Sequence, residues 1–358
     1  MSLRRSNPEL YRILRAQLKG VAKALPDDEI RRLIARLARK CKGANGLDLD
    51  TLFPSLDSDF ELAFELSPWD IIAVFEFLRR FRGGTHTGMH FTPRSVVTRA
   101  LRGLNTLNKR ILDPACGAGA FLLGAFEAGV APECLFGTDI DPLAVEVARL
   151  VLQLAAGRKI PALVDTILCA DGLLHEWKES FDFVVGNPPW VSYSGRHAAQ
   201  ISEGHLDLLR ERFPAAMQGW PSLHGAFVQR AASLVVAKGE VRLVLPAQVS
   251  DAKGFGPLRE SLRSEGFSAA RDSLPSDTFD GVTTPATVLR LVRGVRHAAS
   301  MDSDARETLF DKLNALPKFP NSAFGDIGIH SGNAAKMLFS KTPTSIEVLE
   351  GKNLNEGR

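Results

Sequence analysis

The hydrophobic pattern divides the chain into a helical first part and a longer part in which strands and helices alternate. Apolar residues recur at helical spacing over residues 8–25, and a second helical pattern follows Asp27, which is predicted to be its N-cap. The sequence Ser67-Pro68-Trp69-Asp70 is typical of a helix start, and this third helix is predicted to run to about Arg82. Residues 1–83 are therefore predicted to form a small helical subdomain.

From residue 110 onwards, short apolar runs alternate with amphipathic stretches. This alternation predicts a doubly wound α/β sheet with helices on both faces. The predicted strands are residues 111–113, 135–139, 166–169, 181–186, 241–245 and 287–292, and the predicted helices are residues 94–104, 120–128, 142–156, 223–237 and 254–265.

One predicted strand ends in an unusual way. The apolar run that begins at Phe181 stops at Gly186 and is followed by Asn187, two prolines and Trp190. Paired prolines prevent both continuation of the strand and a helix that starts at Asn187. The amide and the indole are therefore predicted to be held rigidly at a strand end, which is where open α/β sheets bind ligands.

Three other strand ends carry aspartates. Asp113 is followed by a turn with Gly117 and Gly119, Asp139 comes about 20 residues after the second glycine, and Asp171 follows the third strand. Each aspartate alone is equally compatible with a helix cap or a turn. The turn lacks the third glycine of a dinucleotide fingerprint and the lysine of a P-loop, which disfavours a pyrophosphate ligand. Together, the acidic strand ends suit a ligand with an ammonium group, a ribose and an adenine, such as S-adenosylmethionine.

Composition changes this picture little. The 358 residues are 45% hydrophobic and 24% charged, as in ordinary globular proteins. Neither an apolar run long enough to span a membrane nor a signal-peptide core is evident, so a cytoplasmic location is predicted. Residues 1–45 hold twelve Lys and Arg against four Asp and Glu. This basic segment is compatible with contacts to nucleic acid phosphates or with a solvated helix face.

No metal site is predicted. His86 and His90 are four residues apart, but Gly88 between them indicates a loop rather than a helix that would present both imidazoles on one face. The cysteines lack paired metal-ligand spacing, and their apolar neighbours predict buried, reduced thiols. They are Cys41, Cys116, Cys134 and Cys169.

The motifs occur in a characteristic order. They are residues 89–93 (Met-His-Phe-Thr-Pro), 113–119 (Asp-Pro-Ala-Cys-Gly-Ala-Gly), 139–141 (Asp-Ile-Asp), 170–171 (Ala-Asp) and 187–190 (Asn-Pro-Pro-Trp). This series resembles the gamma-class N6-adenine DNA methyltransferases of restriction-modification and phage-defence systems. The resemblance covers residues 84–295 and implies a mostly parallel, seven-stranded class I methyltransferase fold that is Rossmann-like.

The resemblance also implies site residues. Thr92 and Pro93 would lie at the methionine end of S-adenosylmethionine, Asp113 near its ammonium group, and Asp139 and Asp171 on its ribose and adenine. The remaining residues implied for the cofactor are Ala115, Gly117, Gly119, Ile140 and Asn187. The catalytic set would be Asn187, Pro188, Pro189 and Trp190, and a flipped-out adenine would stack on Trp190 and Phe279. The alternative for Phe279 is a core phenylalanine.

The predicted substrate is adenine in double-stranded DNA, and alternatives from other classes remain. Protein-glutamine and RNA methyltransferases also use an Asn-Pro-Pro-aromatic motif, and a non-catalytic DNA-binding scaffold would keep the same fold. Residues 296–358 resemble a linker and the start of a target-recognition domain, but are too short to read base edges. A separate or missing specificity domain or subunit is therefore expected.

Overall fold

The computed structural model describes residues 3–17, 25–47, 64–82, 92–195, 198–279 and 284–294. These residues belong to one compact unit, Met1–Arg296. Three predictions lie outside the described residues. They concern the end of the first helix at residues 18–24, the loop at residues 83–91 with its two histidines, and the linker and recognition segment at residues 296–358.

The described part of the chain contains a seven-stranded sheet. Its strand order is β3-β2-β1-β4-β5-β7-β6, and all neighbours are parallel except β7, which runs antiparallel to β5 and β6. The predicted fold class is confirmed. The strands are β1 (Ile111–Asp113), β2 (Leu135–Asp139), β3 (Ile167–Cys169), β4 (Phe181–Gly186), β5 (Val235–Pro246), β6 (Phe267–Ser273) and β7 (Ala286–Arg293).

Helices flank this sheet, and most follow the predicted pattern. Their bounds are α1 (Leu3–Ser6), α2 (Pro8–Gln17), α3 (Asp27–Ala38), α4 (Pro68–Arg82), α5 (Arg94–Leu101), α6 (Ala120–Glu127), α7 (Pro142–Ala156), α8 (Leu163–Thr166), α9 (Glu203–Arg212), α10 (Pro214–Met217), α11 (Leu223–Leu234), α12 (Gln248–Asp251) and α13 (Gly256–Ser264). Short 3₁₀ turns cover Ala44–Gly46, Pro132–Cys134 and Lys253–Phe255.

The predicted elements differ from the observed ones mainly at the antiparallel end of the sheet. The strand β6 was not predicted, because it is an edge strand whose side chains are mostly exposed and therefore lacks an apolar pattern. The strand β5 begins at Val235, six residues before the predicted start, and the helix α11 ends at Leu234 rather than at residue 237. The helix α5 ends at Leu101 rather than at residue 104.

The N-terminal helices share a hydrophobic core with the sheet. Leu10, Ile30 and Ile71 belong to the same buried cluster as Leu122 and Val147, which lie on helices that flank the sheet. The predicted boundary between residues 83 and 84 is not tested by this packing and stays a prediction.

An arginine reinforces this contact between the N-terminal helices and the sheet layer. Arg79 on α4 donates to Asp27 Oδ1 at 2.8 Å and to Asp141 Oδ1 at 2.7 Å. Asp141 in turn caps α7 by accepting from the Leu143 N–H. The prediction that Asp27 is an N-cap was wrong: Asp27 is the first residue of α3, after Pro26, and its carboxylate pairs with Arg79 instead.

Two of the four cysteines are not buried. Cys41 and Cys116 are buried free thiols, as predicted, but Cys134 is only partly buried and Cys169 is exposed. Cys169 is the last residue of the edge strand β3, where the end of the sheet leaves its side chain uncovered. In the described residues, we find no helix with the length and hydropathy of a transmembrane segment.

Candidate active site

The predicted site residues lie along one edge of the sheet. The strands β2, β1 and β4 are adjacent, and parallel pairing places Asp113 beside Gly137, two residues before Asp139. On the other side of β1, β4 ends at Gly186, and a Cβ built on that glycine would lie 2.5 Å from Asp113 Oδ1. The Asn-Pro-Pro-Trp segment therefore begins directly beside the Asp113 carboxylate.

The glycine turn after β1 is held by two of the aspartates. The Ala115 N–H donates to Asp113 Oδ1 at 3.1 Å, and the Gly117 N–H donates to Asp139 Oδ2 at 2.8 Å. Gly119 has a φ of +89° and lies so close to α7 that a Cβ would be 3.1 Å from the Ala148 Cα. A Cβ on Gly117, by contrast, would meet no described atom within 4 Å. The turn is thus packed on one side and open on the other.

Asp113 is a buried carboxyl group with unusual electrostatics. It is 2% exposed, and among the described residues no Lys or Arg forms an ion pair with it. Burial raises the pKa of Asp113 to about 8; the hydrogen bond from the Ala115 N–H lowers this pKa, and the neighbouring Asp139 charge raises it by a smaller amount. Burial also raises the pKa of Asp139. This part of the site is therefore prepared for a cationic group.

Asp171 and Ile140 lie at the other end of the site, beyond β3 and β2. The Leu173 N–H donates to Asp171 Oδ1 at 2.9 Å, so one carboxylate oxygen closes a turn. Asp113 and Asp139 also accept hydrogen bonds from turn residues, so all three aspartates have a local structural role. Ile140 is 76% exposed, which is unusual for a large aliphatic side chain beside polar groups.

Asn187 is fixed by partners from two other elements. Its Nδ2 donates to Thr92 Oγ1 at 3.0 Å, and its Oδ1 accepts from Trp190 Nε1 at 3.0 Å. The same indole N–H lies 3.2 Å from the Val244 carbonyl oxygen on β5. Thr92 immediately precedes Pro93, the buried residue before α5. The structure therefore brings Thr92 into direct contact with the Asn-Pro-Pro-Trp segment.

The two aromatic residues predicted to hold a base also meet. Trp190 and Phe279 pack edge to face, with ring centroids 5.2 Å apart and an interplanar angle of 75°. Phe279 is 7% exposed and belongs to the core cluster, as the core alternative expected. Pro188 is buried and Pro189 partly so. The aromatic pair therefore has to rearrange before both faces can hold a base between them.

Two residues that hold the site together were not identified from the sequence. A Cβ on Gly172 would lie 1.8 Å from the Pro114 carbonyl oxygen, and the Thr138 hydroxyl donates to that same oxygen at 3.0 Å. In the sequence, the Asp171-Gly172 dipeptide is a turn signal, and Thr138 is a polar residue in an otherwise apolar strand. The structure shows that Thr138 is fully buried. Either signal was available, but neither indicates which backbone oxygen is contacted.

Replacing Gly172 by alanine is expected to displace the glycine turn, because Cβ and a backbone oxygen cannot lie 1.8 Å apart. We expect a loss of about 1–3 kcal/mol in the free energy of unfolding, the usual range for overpacked sites. Gly204 near the start of α9 is the matched control, since a Cβ there meets nothing within 4 Å. Urea denaturation of both variants measures the difference, and equal stabilities would contradict the contact.

The raised pKa of Asp113 predicts a pH dependence of stability in the ligand-free protein. Between its ordinary value of 3.8 and about 8, folded Asp113 keeps a proton that the unfolded chain has released. The free energy of unfolding should therefore fall as pH rises through this window, by on the order of a few kcal/mol. The Asp113→Asn variant should lack this component. Urea denaturation of both proteins at pH 5 to 8 tests it, and parallel pH profiles would show that Asp113 is not the group involved.

The strand order, the glycine turn and the acidic strand ends define the fold of the class I S-adenosylmethionine-dependent methyltransferases. The sequence model of the N-6 DNA methylase family matches residues 71–317, which is more than half of the chain. The chain therefore belongs to the N-6 DNA methylase family, and the predicted family resemblance is confirmed. S-adenosylmethionine is the methyl donor of this class, in agreement with the predicted cofactor.

Several curated relatives are named as methyltransferases of restriction-modification systems. The Type II methyltransferase M.TthHB8I of Thermus thermophilus is 29% identical over 62% of this chain and 48% of its own length. M.PaeR7I of Pseudomonas aeruginosa is 28% identical over 60% of this chain and 42% of its own. The methylase subunit of the Type I restriction enzyme EcoEI from Escherichia coli is 25% identical over 48% and 35%. The chain thus spans about half or less of the length of these relatives.

Among solved structures, the type IIG restriction endonuclease BpuSI is similar in fold. The match has a TM-score of 0.53 at 16% identity, and it covers 78% of this chain and 38% of that structure. At this level of identity the similarity supports the fold alone.

Proposed function

We propose that this chain transfers a methyl group from S-adenosylmethionine to the N6 amino group of an adenine in double-stranded DNA. The observation that carries the proposal is the position of Asn187, whose segment begins against the Asp113 carboxylate and whose amide contacts Thr92. An amide and a proline carbonyl at a rigid strand end are acceptors for an amino group. They lie beside a buried carboxylate suited to a cationic ligand.

The described residues fit S-adenosylmethionine by their chemistry. Asp113 is a buried carboxyl group whose pKa burial raises, and among the described residues no Lys or Arg forms an ion pair with it; an ammonium group would supply a cationic partner. The open side of Gly117 leaves space for a ligand against the backbone, and exposed Ile140 offers an apolar surface to a flat base. We assign Asp139 to the ribose and Asp171 to the cofactor adenine, in line with the resemblance.

The proposed chemistry relies on positioning. S-adenosylmethionine supplies an electrophilic methyl group on its sulfonium. The adenine amino nitrogen is a poor nucleophile, because its lone pair is delocalised into the ring. When the Asn187 Oδ1 and the Pro188 carbonyl accept its two N–H bonds, the nitrogen moves towards tetrahedral geometry and its lone pair becomes available. The N–C bond forms as the C–S bond breaks, and the surplus proton on nitrogen leaves to solvent.

The substrate base must leave the DNA stack to reach a strand end beside a buried carboxylate. We assign Trp190 as one stacking surface and Phe279 as the second, which requires their edge-to-face contact to open. A further or separate recognition domain or subunit would choose the base, as the methylase-subunit relatives suggest. Because the proposed substrate is DNA, we also propose a cytoplasmic location.

The test uses the full chain with methyl-labelled S-adenosylmethionine, followed by analysis of nucleosides. Two duplexes are compared, one of natural sequence and one in which the adenine lies opposite an abasic site, so that flipping costs less. Labelled N6-methyldeoxyadenosine in either duplex supports the proposal. Label in RNA or protein glutamine would identify one of the alternatives instead, and label in cytosine would contradict the proposal.

The two duplexes also separate a missing specificity partner from a scaffold. Label in the abasic duplex alone indicates a catalytic site that lacks a partner for recognition. No label in either duplex, together with cofactor binding in equilibrium dialysis, would contradict the proposal and favour a non-catalytic DNA-binding scaffold.

A further inference from the structure

The indole N–H of Trp190 has no part in the stacking role proposed for its ring. It donates to Asn187 Oδ1 at 3.0 Å and lies 3.2 Å from the Val244 carbonyl oxygen. An indole N–H is only a donor. The atom of Asn187 that faces it must therefore be the amide oxygen, because the amide nitrogen would present a second donor.

Thr92, which the amide also contacts, does not make this distinction. Asn187 Nδ2 donates to the Thr92 hydroxyl at 3.0 Å. A hydroxyl both donates and accepts, so Thr92 would pair with either end of a rotated amide. Of these two neighbours, only Trp190 distinguishes the amide oxygen of Asn187 from its amide nitrogen.

The orientation matters for the proposed reaction, on which this inference rests. The adenine amino group is itself a donor, so a rotated Asn187 would set N–H against N–H and could not hold the base. An amide oxygen has two lone pairs and can accept from the indole and the amino group together. We propose that Trp190 is a positioning residue whose N–H fixes the orientation of the Asn187 amide, in addition to any stacking by its ring.

A double-mutant cycle isolates this role. Trp190→Phe keeps an aromatic ring but removes the N–H, and Asn187→Asp replaces the amide by a carboxylate with two equivalent oxygens. A carboxylate presents an oxygen in either orientation, so the Trp190 N–H is no longer needed to orient this side chain. We expect Trp190→Phe to slow single-turnover methyl transfer about fivefold more in the Asn187 background than in the Asn187→Asp background. The weaker stacking of phenylalanine is common to both backgrounds and cancels.

A spectroscopic measurement tests the contact without methyl transfer. The chain has four tryptophans, so ¹⁵N-tryptophan labelling gives four indole signals, and the one lost in Trp190→Phe belongs to Trp190. Asn187→Ala should shift this signal upfield, because its N–H loses one acceptor, and should leave the other three in place. Trp69→Phe is the control for transfer, since its N–H donates to Glu127 away from Asn187 and its loss should change the rate less than about twofold.

The outcomes separate this inference from the proposed function. An unmoved Trp190 signal in Asn187→Ala overturns the inference, as does an equal effect of Trp190→Phe in both backgrounds. If Asn187→Asp is too slow to measure, the indole signal decides. If the unmodified protein labels protein or RNA instead of adenine, the proposed function fails, and the shift of the indole signal still decides whether the Trp190 N–H contacts the Asn187 amide, as the inference requires.

Discussion

Replacing Asn187 by alanine is expected to slow methyl transfer at least about a hundredfold while cofactor affinity stays within about tenfold. The side-chain oxygen is proposed to act on the substrate amine rather than on the bulk of the cofactor. Its loss removes an acceptor for one N–H and leaves the lone pair delocalised. Single-turnover rates with saturating adenine DNA, measured beside equilibrium dialysis with S-adenosylmethionine, separate the two effects.

The control for this variant is Asn105→Ala, which removes an exposed amide from the loop before β1 and should leave both quantities unchanged. A large loss of cofactor binding in Asn187→Ala would show that the amide mainly holds the cofactor or the local fold. Unchanged transfer would assign the substrate amine to other acceptors.

Replacing Asp113 by asparagine is expected to weaken cofactor binding about a hundredfold, because it removes the charged partner of a buried ammonium group. The variant keeps the shape and the oxygen that accepts from the Ala115 N–H. In the unmodified protein, the carboxyl group must lose a proton to pair with a cation, and its pKa is about 8. Affinity should therefore fall as pH drops below 8, by up to about tenfold per pH unit, and the variant should lack this component.

Calorimetric titrations at pH 6 to 9 measure this dependence. 5′-Methylthioadenosine is the control ligand, because it keeps the nucleoside but has no ammonium group. Its affinity should be the same in both proteins. An equal loss for both ligands would mean that Asp113 acts on the glycine turn rather than on the cation.

The fold and the strand ends were predictable because their determinants are local. Apolar runs that stop at Asp113 or Asn187 mark strand ends, and parallel strands bring their carboxyl ends to one edge. The identity of the contacts at that edge was not predictable. That Asn187 meets Thr92, 95 positions earlier, depends on how α5 packs, and sequence spacing does not encode that packing. The edge strand β6 was missed for a related reason, since its solvent-exposed side chains leave no hydrophobic period.

The proposed roles of the aromatic pair show the same limit. The family resemblance implied that a flipped-out adenine would stack on Trp190 and Phe279, and the structure places their rings in contact. The two rings meet edge to face, a geometry that the quadrupoles of aromatic rings favour. The resemblance therefore named two residues that meet in the structure, whereas the geometry of their contact depends on packing.

The ion pairs of Arg79 have a consequence for the cooperativity of unfolding. This side chain joins α3 to Asp141, the cap of the helix that follows the proposed ribose-binding strand end. Loosening the N-terminal helices would expose a shared core and free that cap, so we expect these helices and the sheet to unfold together. A fragment that starts after α4 should aggregate or bind cofactor weakly, and chimeras between family members should exchange these helices together with the sheet.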